Sequence, residues 1–321
     1  MVSAPRRRVH SPDGVRVSNF PGGVPGLGVM GSLTRAESVV QDGPNQTYPY
    51  REHPVYCLWD SKTARLQGIM MGELFDERTG FTSIMAFRTG ATTGVGVKAL
   101  ARADAATVGL LGAGGQAINK ILAISAVREL TQVKVFSRNE VNRRAFCERV
   151  EELIGVETIP VDGPDEAVQG LDIVITATNS NVPVFDGALL EPGQHVATVV
   201  GSNAALVEGG WLESGRREND DETVRRADII VTNHVEGIIQ DKQAGLYQPI
   251  QDGIITIDDV HPLGAVLSGK HPGRTSDDQI TFHFNNAGTA SADLAMAQIV
   301  FERARDAGRG TEMEIPAPGT Q

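Results

Sequence analysis

The stretch Thr107–Ala117, TVGLLGAGGQA, decides the fold. Its apolar run (Val108, Leu110, Leu111) stops at Gly112, Gly114 and Ala117, a GxGxxA spacing. Ile118, Ile121, Leu122 and Ser125 then recur at helical intervals. Strand, glycine turn and helix in that order form the first half of a dinucleotide-binding βαβ unit. Gly112 permits the tight turn, Gly114 lets backbone approach a pyrophosphate, and Ala117 keeps the helix close to the strand. The helix N-terminus offers unpaired N–H groups and a positive dipole end to the phosphates. The expected phosphate contacts are Gly112, Gly114, Gly115, Gln116 and Ala117.

Downstream, a strand at Val133–Phe136 ends at Ser137, about 20 residues beyond Ala117, where this unit places its ribose-reading residue. An NAD site usually carries an acid there. This chain has Ser137 and Arg138, with Arg143 and Arg144 close behind. A hydroxyl and guanidinium groups suit a 2′-phosphate, so NADP(H) is favoured over NAD(H). The competing reading is that Arg143 and Arg144 only cover the solvent face of their helix. Further strands follow in VETIPV, DIVITAT, HVATVVG and ADIIVTN, with a helix from about Glu140 to Ile154 bracketed by Asn139 and Gly155. Short helical pieces lie at Asp165–Gln169 and Asp220–Arg226. Six strands alternating with helices predict a Rossmann-type, doubly wound parallel α/β sheet. Residues 204–219 are long for a connection and predict a loop over the site. Thr178, Asn179 and Ser180, at the end of DIVITAT, are expected to line the cofactor crevice, and Asn286, after the strand ITFHF, joins the cofactor set.

Upstream the pattern changes. VRVSNF, LGVMGSL, PVYCLWD and RLQGIMM are short β runs separated by Pro, Gly, Asn and Asp, with DSKTAR as a hairpin. They predict an antiparallel sheet in a smaller α+β domain. The basic segment 1–14, with Arg6, Arg7 and Arg8, reads as a solvated tail. Thr82–Arg102 reads as helical, and Gly90, Gly94 and Gly96 inside it imply close backbone approach to a neighbour. Arg88 precedes this small-residue run. It is either a surface arginine paired with a carboxylate or an anion clamp at the entrance to the cofactor unit. A C-terminal helix from Gly288 or Thr289 to about Asp306 has an apolar face (Ala290, Leu294, Ala297, Val300, Phe301) that should return to the N-terminal sheet. The predicted division is 1–104 with 289–321 as the smaller α+β domain, and 105–288 as the dinucleotide-binding domain.

The chain has 321 residues, 40% hydrophobic and 21% charged, enough for two cores in an ordinary soluble protein. A net charge of −11 argues against nucleic acid or an anionic membrane as partner. Cys57 and Cys147 have no metal-ligand spacing and suit a reducing compartment, so no metal is expected and the cytoplasm is the expected location. There is no apolar run of transmembrane length.

Four blocks, AFRTGATTGVGVKALAR, VGLLGAGGQA, ITATNSNVPVF with HVATVVGSN, and GRTSDDQITFHFNNAG, together resemble the ornithine cyclodeaminase/mu-crystallin family. The resemblance implies a homodimer, each subunit joining a substrate/dimerisation domain to a Rossmann domain, acting with NAD(P) on small α-amino, α-imino or 2-oxo acids. It makes Arg88 the arginine that holds the substrate α-carboxylate, and Arg8, in RRVH, a second substrate-binding arginine in place of a tail residue. Relative to the family pattern the chain begins late, without most of an N-terminal helical segment. Met30 stands where many members have a substrate-contacting lysine, and Asn203 stands where cyclodeaminases have a catalytic aspartate. An amide cannot exchange a proton near neutral pH as a carboxylate can. The favoured activity is therefore reduction of an α-imino acid or ketimine, or its reverse, with Asn203 orienting the substrate nitrogen and the proton coming from water or a histidine such as His283. The alternatives are ornithine cyclodeamination to proline and ammonia, and an NADPH-binding, crystallin-like protein without turnover.

Overall fold

Alternating side chains over the first seventy positions build an antiparallel sheet. The computed structural model describes residues 2–4, 6–72, 83–199, 204–210, 212–285 and 290–313. Strands β1 (Val2–Ser3), β2 (Arg7–His10), β3 (Val15–Val24) and β4 (Val29–Ser38) are followed by a small hairpin of β5 (Val40–Asp42) and β6 (Asn45–Thr47), then by β7 (Val55–Asp60) and β8 (Leu66–Met71). The large sheet of this part runs β1-β3-β4-β7-β8, with β2 beside β3. The N-terminal segment is thus no tail: β2 pairs antiparallel with β3, Arg8 opposite Ser18 and His10 opposite Arg16. One face buries Phe20, Val29, Leu33, Tyr56 and Leu58 against Leu294 and Ala297 of the C-terminal helix.

Helix α1 (Ile84–Leu100) links the two parts. Ser83 caps it by accepting from the Ala86 amide. Ile84 packs in the core of the small sheet, whereas Val97 packs in that of the large one. Its glycines mark close approach: a Cβ on Gly90 would sit 2.5 Å from the Asn119 carbonyl oxygen, and one on Gly94 2.8 Å from that of Ala123.

The second sheet contains β9 (Thr107–Leu111), β10 (Gln132–Phe136), β11 (Glu157–Pro160), β12 (Ile173–Thr176), β13 (His195–Thr198), β14 (Ile229–Thr232), β15 (Val260–Pro262) and β16 (Thr281–Phe284). Their order is β11-β10-β9-β12-β13-β16-β14-β15, and every pairing is parallel. The described sheet has eight strands instead of the six expected. ITFHF inserts as β16 between β13 and β14, and β15 comes from a Gly- and Asp-rich stretch with no strand signal. Helices cover both faces, so β12, β13, β14 and β16 are buried at every position. On one face α1, α2 (Gly115–Ser125) and α3 (Glu140–Ile154) pack; on the other lie the short helices α5 (Asp221–Arg226), α6 (Glu236–Gln240) and α7 (Ala244–Gln251). Asn139 and Gly155 bound α3, the glycine in the left-handed conformation that ends it. Helices α4 (Ala204–Glu208) and α8 (Leu263–Leu267) are single short segments, and α9 (Ala290–Asp306) returns to the small sheet.

Candidate functional site

The strand order reverses between β9 and β12, and the glycine turn emerges there. In open α/β sheets this is where ligands bind. Gly112 has φ +116, and a Cβ on it would overlap the Ala177 carbonyl oxygen, so only glycine serves. Gly114 caps α2 with no side chain to satisfy the first-turn amides. At Gly114 and Gly115 a Cβ would meet nothing within 4 Å, and both residues are exposed. The Gln116 side-chain oxygen is buried without a partner, and Ala117 is buried against the sheet. The Gly112 amide donates to the Phe136 carbonyl at 2.8 Å and that of Ala117 to the Gly114 carbonyl at 2.9 Å, so the open cradle, the amides of Gly115 and Gln116 and a positive dipole end are what fit a dinucleotide pyrophosphate.

At the end of β10, Ser137 is half-buried and Arg138 exposed, and among the described residues neither side chain has a partner. Arg143 is a correction. It is buried, donates to the Ser137 carbonyl at 2.9 Å and to Asp162 at 2.8 Å, and so holds the strand ends together instead of waiting for a phosphate. Arg144 pairs with Glu140 one turn away.

The opposite wall corrects a second expectation. Thr178 is already engaged: its amide and hydroxyl donate to Glu218 at 2.6 and 2.7 Å. The Ser180 hydroxyl donates to the Val182 carbonyl, and Arg216 donates to the carbonyls of Thr178 and Ser180. Only Asn179 of the three is exposed. The far end of segment 204–219 is therefore no free loop; it braces the crevice wall from below. Glu218 is fully buried and also accepts from Thr176. Lys120, on the buried side of α2, donates to the Thr176 carbonyl at 2.6 Å. Burial, opposed by Glu218, lowers Lys120 to about 7. Neither residue carries a sequence signal, because each acts through a partner distant in the chain.

On α1, Arg88 is buried and bidentate to Asp293 of α9, at 2.6 and 3.2 Å, with Nη1 left without a partner. Burial raises Asp293 against the pull of Arg88. The pairing supplies the carboxylate partner of one reading, but Arg88 is buried and not on the surface as that reading had it. The next residue, Thr89, accepts from Asn285 at the end of β16, which fixes Arg88 beside the carboxyl edge of the parallel sheet. Arg8 is on the inner face of β2, and its Nε lacks a partner. Burial, with Arg6 and Arg16 nearby, pushes Arg8 down to about 9, leaving it cationic at neutral pH. Arg6 reaches across to Asp241 beyond α6, at 2.7 Å.

Two expected residues do not join this group. Met30 alternates to the outer face of β4, away from Arg35 and Glu37, and is exposed. His283 is sealed between sheet and helix: Nε2 meets Asn233 at 3.0 Å, and Nδ1 faces the bare Cα of Gly96. Burial, with Lys120, lowers it to about 3, so it is neutral near pH 7 and closed to substrate. Asn203 and Asn286 lie outside the described residues.

Residues 61–308 match the model of the ornithine cyclodeaminase/mu-crystallin family. A Δ1-pyrroline-2-carboxylate reductase from Bacillus cereus is 33% identical over 229 residues, 71% of this chain and 66% of the relative, just under two thirds of its length. Among solved structures, a Thermococcus litoralis Δ1-pyrroline-2-carboxylate reductase in complex with NADH and L-proline superposes with TM-score 0.81 at 25% identity, covering 97% of this chain and 90% of that one. An archaeal alanine dehydrogenase dimer with bound NAD shares the fold, with TM-score 0.78 at 24% identity, over 97% of this chain and 88% of that one.

Proposed function

Because this chain belongs to the ornithine cyclodeaminase/mu-crystallin family, we propose that it is an NAD(P)H-dependent oxidoreductase that reduces an α-imino acid or ketimine, or oxidises the amino acid in reverse. One observation carries the reading: the open glycine cradle and the unspent Nη1 donor of buried Arg88 border the same carboxyl edge of the parallel sheet. The relatives named as pyrroline-2-carboxylate reductases support it.

The coenzyme supplies the hydride when bound. The chain's own residues bind and orient. Gly112, Gly114, Gly115, Gln116 and Ala117 would hold the pyrophosphate, and Ser137 with Arg138 the ribose, where they favour a 2′-phosphate and hence NADP(H). Arg88 fixes the substrate α-carboxylate, with Arg8 as a second substrate-binding arginine; orientation of that kind supplies several kcal/mol of a barrier. Asn203 orients the substrate nitrogen, and with His283 closed off, water delivers the proton. Homodimerisation fits the outer face of the small sheet, where Val9, Val17, Met30, Trp59, Ile69 and Met71 form an exposed apolar surface. No described helix is long and apolar enough to cross a membrane, and a cytoplasmic location suits the two free cysteines.

The test is reduction of 2-oxo acids with ammonia or methylamine, and of cyclic ketimines, followed by absorbance of NADPH and then NADH. Consumption of reduced coenzyme is expected, faster with NADPH. Proline formed from ornithine without net coenzyme change would instead identify a cyclodeaminase, and absence of affinity for either coenzyme would end the proposal.

A further inference from the structure

The inner face of the small sheet holds more cationic donors than a single carboxylate uses. Arg16 is buried on β3, diagonal to Arg8 across the β2–β3 pair. Arg16 is ion-paired with Glu37 through Nη2, while its Nε and Nη1 have no partner. Arg51, on the rim, takes the second oxygen of Glu37 at 2.8 Å. Arg6 is paired with Asp241 and Arg88 with Asp293. Arg8 has no carboxylate partner among the described residues. Among the described residues, five guanidinium groups (Arg6, Arg8, Arg16, Arg51, Arg88) thus face three carboxylates (Glu37, Asp241, Asp293), a surplus of two positive charges. Arg35 of β4 and His10 of β2 border the same group, Arg35 bonding the Met85 sulfur.

Buried charge without a counter-ion is costly, and each unpartnered buried N–H adds to the cost. A fold retains such a cluster at a profit only if an anion completes it. Arg88 Nη1, on the helix that Asn285 ties to the end of β16, can take the α-carboxylate. That leaves Arg8 Nε and both free donors of Arg16, further along the sheet. Resting on the imino-acid reductase reading above, we propose that the substrate carries a second carboxylate, bound by Arg8 and Arg16. The substrate class is then a dicarboxylic 2-imino acid, or its 2-oxo precursor with an amine.

Succinate and butyrate, equal in carbon number and different by one carboxylate, separate the possibilities without turnover. With the protein saturated in reduced coenzyme, calorimetric titration should find succinate bound at least about tenfold more tightly. Arg8→Gln, which breaks no ion pair, should bring the two within about threefold; Arg16→Gln should do the same, with circular dichroism reporting whether the sheet survives. Equal binding of succinate and butyrate, or a preference untouched in folded Arg8→Gln, overturns the subsite. Turnover of pyruvate with ammonia but not of oxaloacetate with ammonia also overturns it, yet leaves the reductase reading standing. A succinate preference with no turnover on any imine does the reverse.

Discussion

At Gly90, Gly94 and Gly96 an added methyl group would meet protein, whereas at Gly114 and Gly115 it would meet nothing. The first set lets α1 lie against α2 and against His283, and so determines where Arg88 stands. The second set leaves room for a molecule that is not protein. Glycine is a packing device in one place and a vacancy for ligand in the other, and only the surroundings distinguish the two. The sharpest way to break this contrast is Gly96→Val. A side chain there collides with the imidazole of a sealed histidine, and overpacking of this sort costs about 3 kcal/mol. Urea denaturation should show that loss. A variant as stable as the parent would mean that α1 is free to shift, and Arg88 with it.

Gly114→Val is the converse. Gly114 has extended backbone (φ −110, ψ −176) that valine adopts readily, and its Cβ would point into open space. Stability should fall by no more than about 1 kcal/mol from the altered cap, while coenzyme affinity falls about 100-fold, equivalent to about 2.7 kcal/mol. Titration of coenzyme fluorescence checks the second figure. If stability falls and affinity does not, the cradle has been misidentified.

The same contrast explains what the sequence could disclose. The GxGxxA turn, Asn139 and Gly155 at the ends of α3, and the hairpin in DSKTAR are local: each residue's role follows from neighbours within a few positions. The arginine cluster is not. Arg6 meets Asp241 across 235 positions and Arg88 meets Asp293 across 205, so neither partner is visible from the other's context. Arg143 shows the error that results. Its company suggested a phosphate ligand, but Asp162, 19 residues on, holds it. Likewise β16 carries a clear strand pattern, yet its place between β13 and β14 depends on tertiary packing. Met30 lies on the outer face because strand alternation counts from Leu33 and Arg35, and a family alignment position carries no such parity.

Lys120 lies on α2, four residues after Gln116, beneath the wall that Glu218 braces. Its folded pKa of about 7 is far below the unfolded lysine value. Between these values the unfolded chain binds the extra proton, so stability rises with pH. From pH 7 to 9 the gain should be about 2 kcal/mol, and Lys120→Met should abolish that slope. Denaturation at the two pH values decides; an unchanged slope in the variant would move the titration elsewhere.

The smallest effect concerns the coenzyme's far end. Among the described residues the Ser137 hydroxyl and the Arg138 guanidinium have no partner, whereas Arg143, which composition alone would rank beside them, is committed to the Ser137 carbonyl and Asp162. Selection for a 2′-phosphate then rests on Ser137 and Arg138. Ser137→Asp places a carboxylate against that phosphate and offers the ribose hydroxyls of NADH an acceptor. NADPH affinity should fall about tenfold, roughly 1.4 kcal/mol, while NADH affinity holds or improves. Arg138→Leu should weaken NADPH alone. Should both variants leave the NADPH/NADH ratio of dissociation constants unaltered, the free side chains at this strand end do not read the ribose, and the open glycine turn holds its ligand without choosing between the two coenzymes.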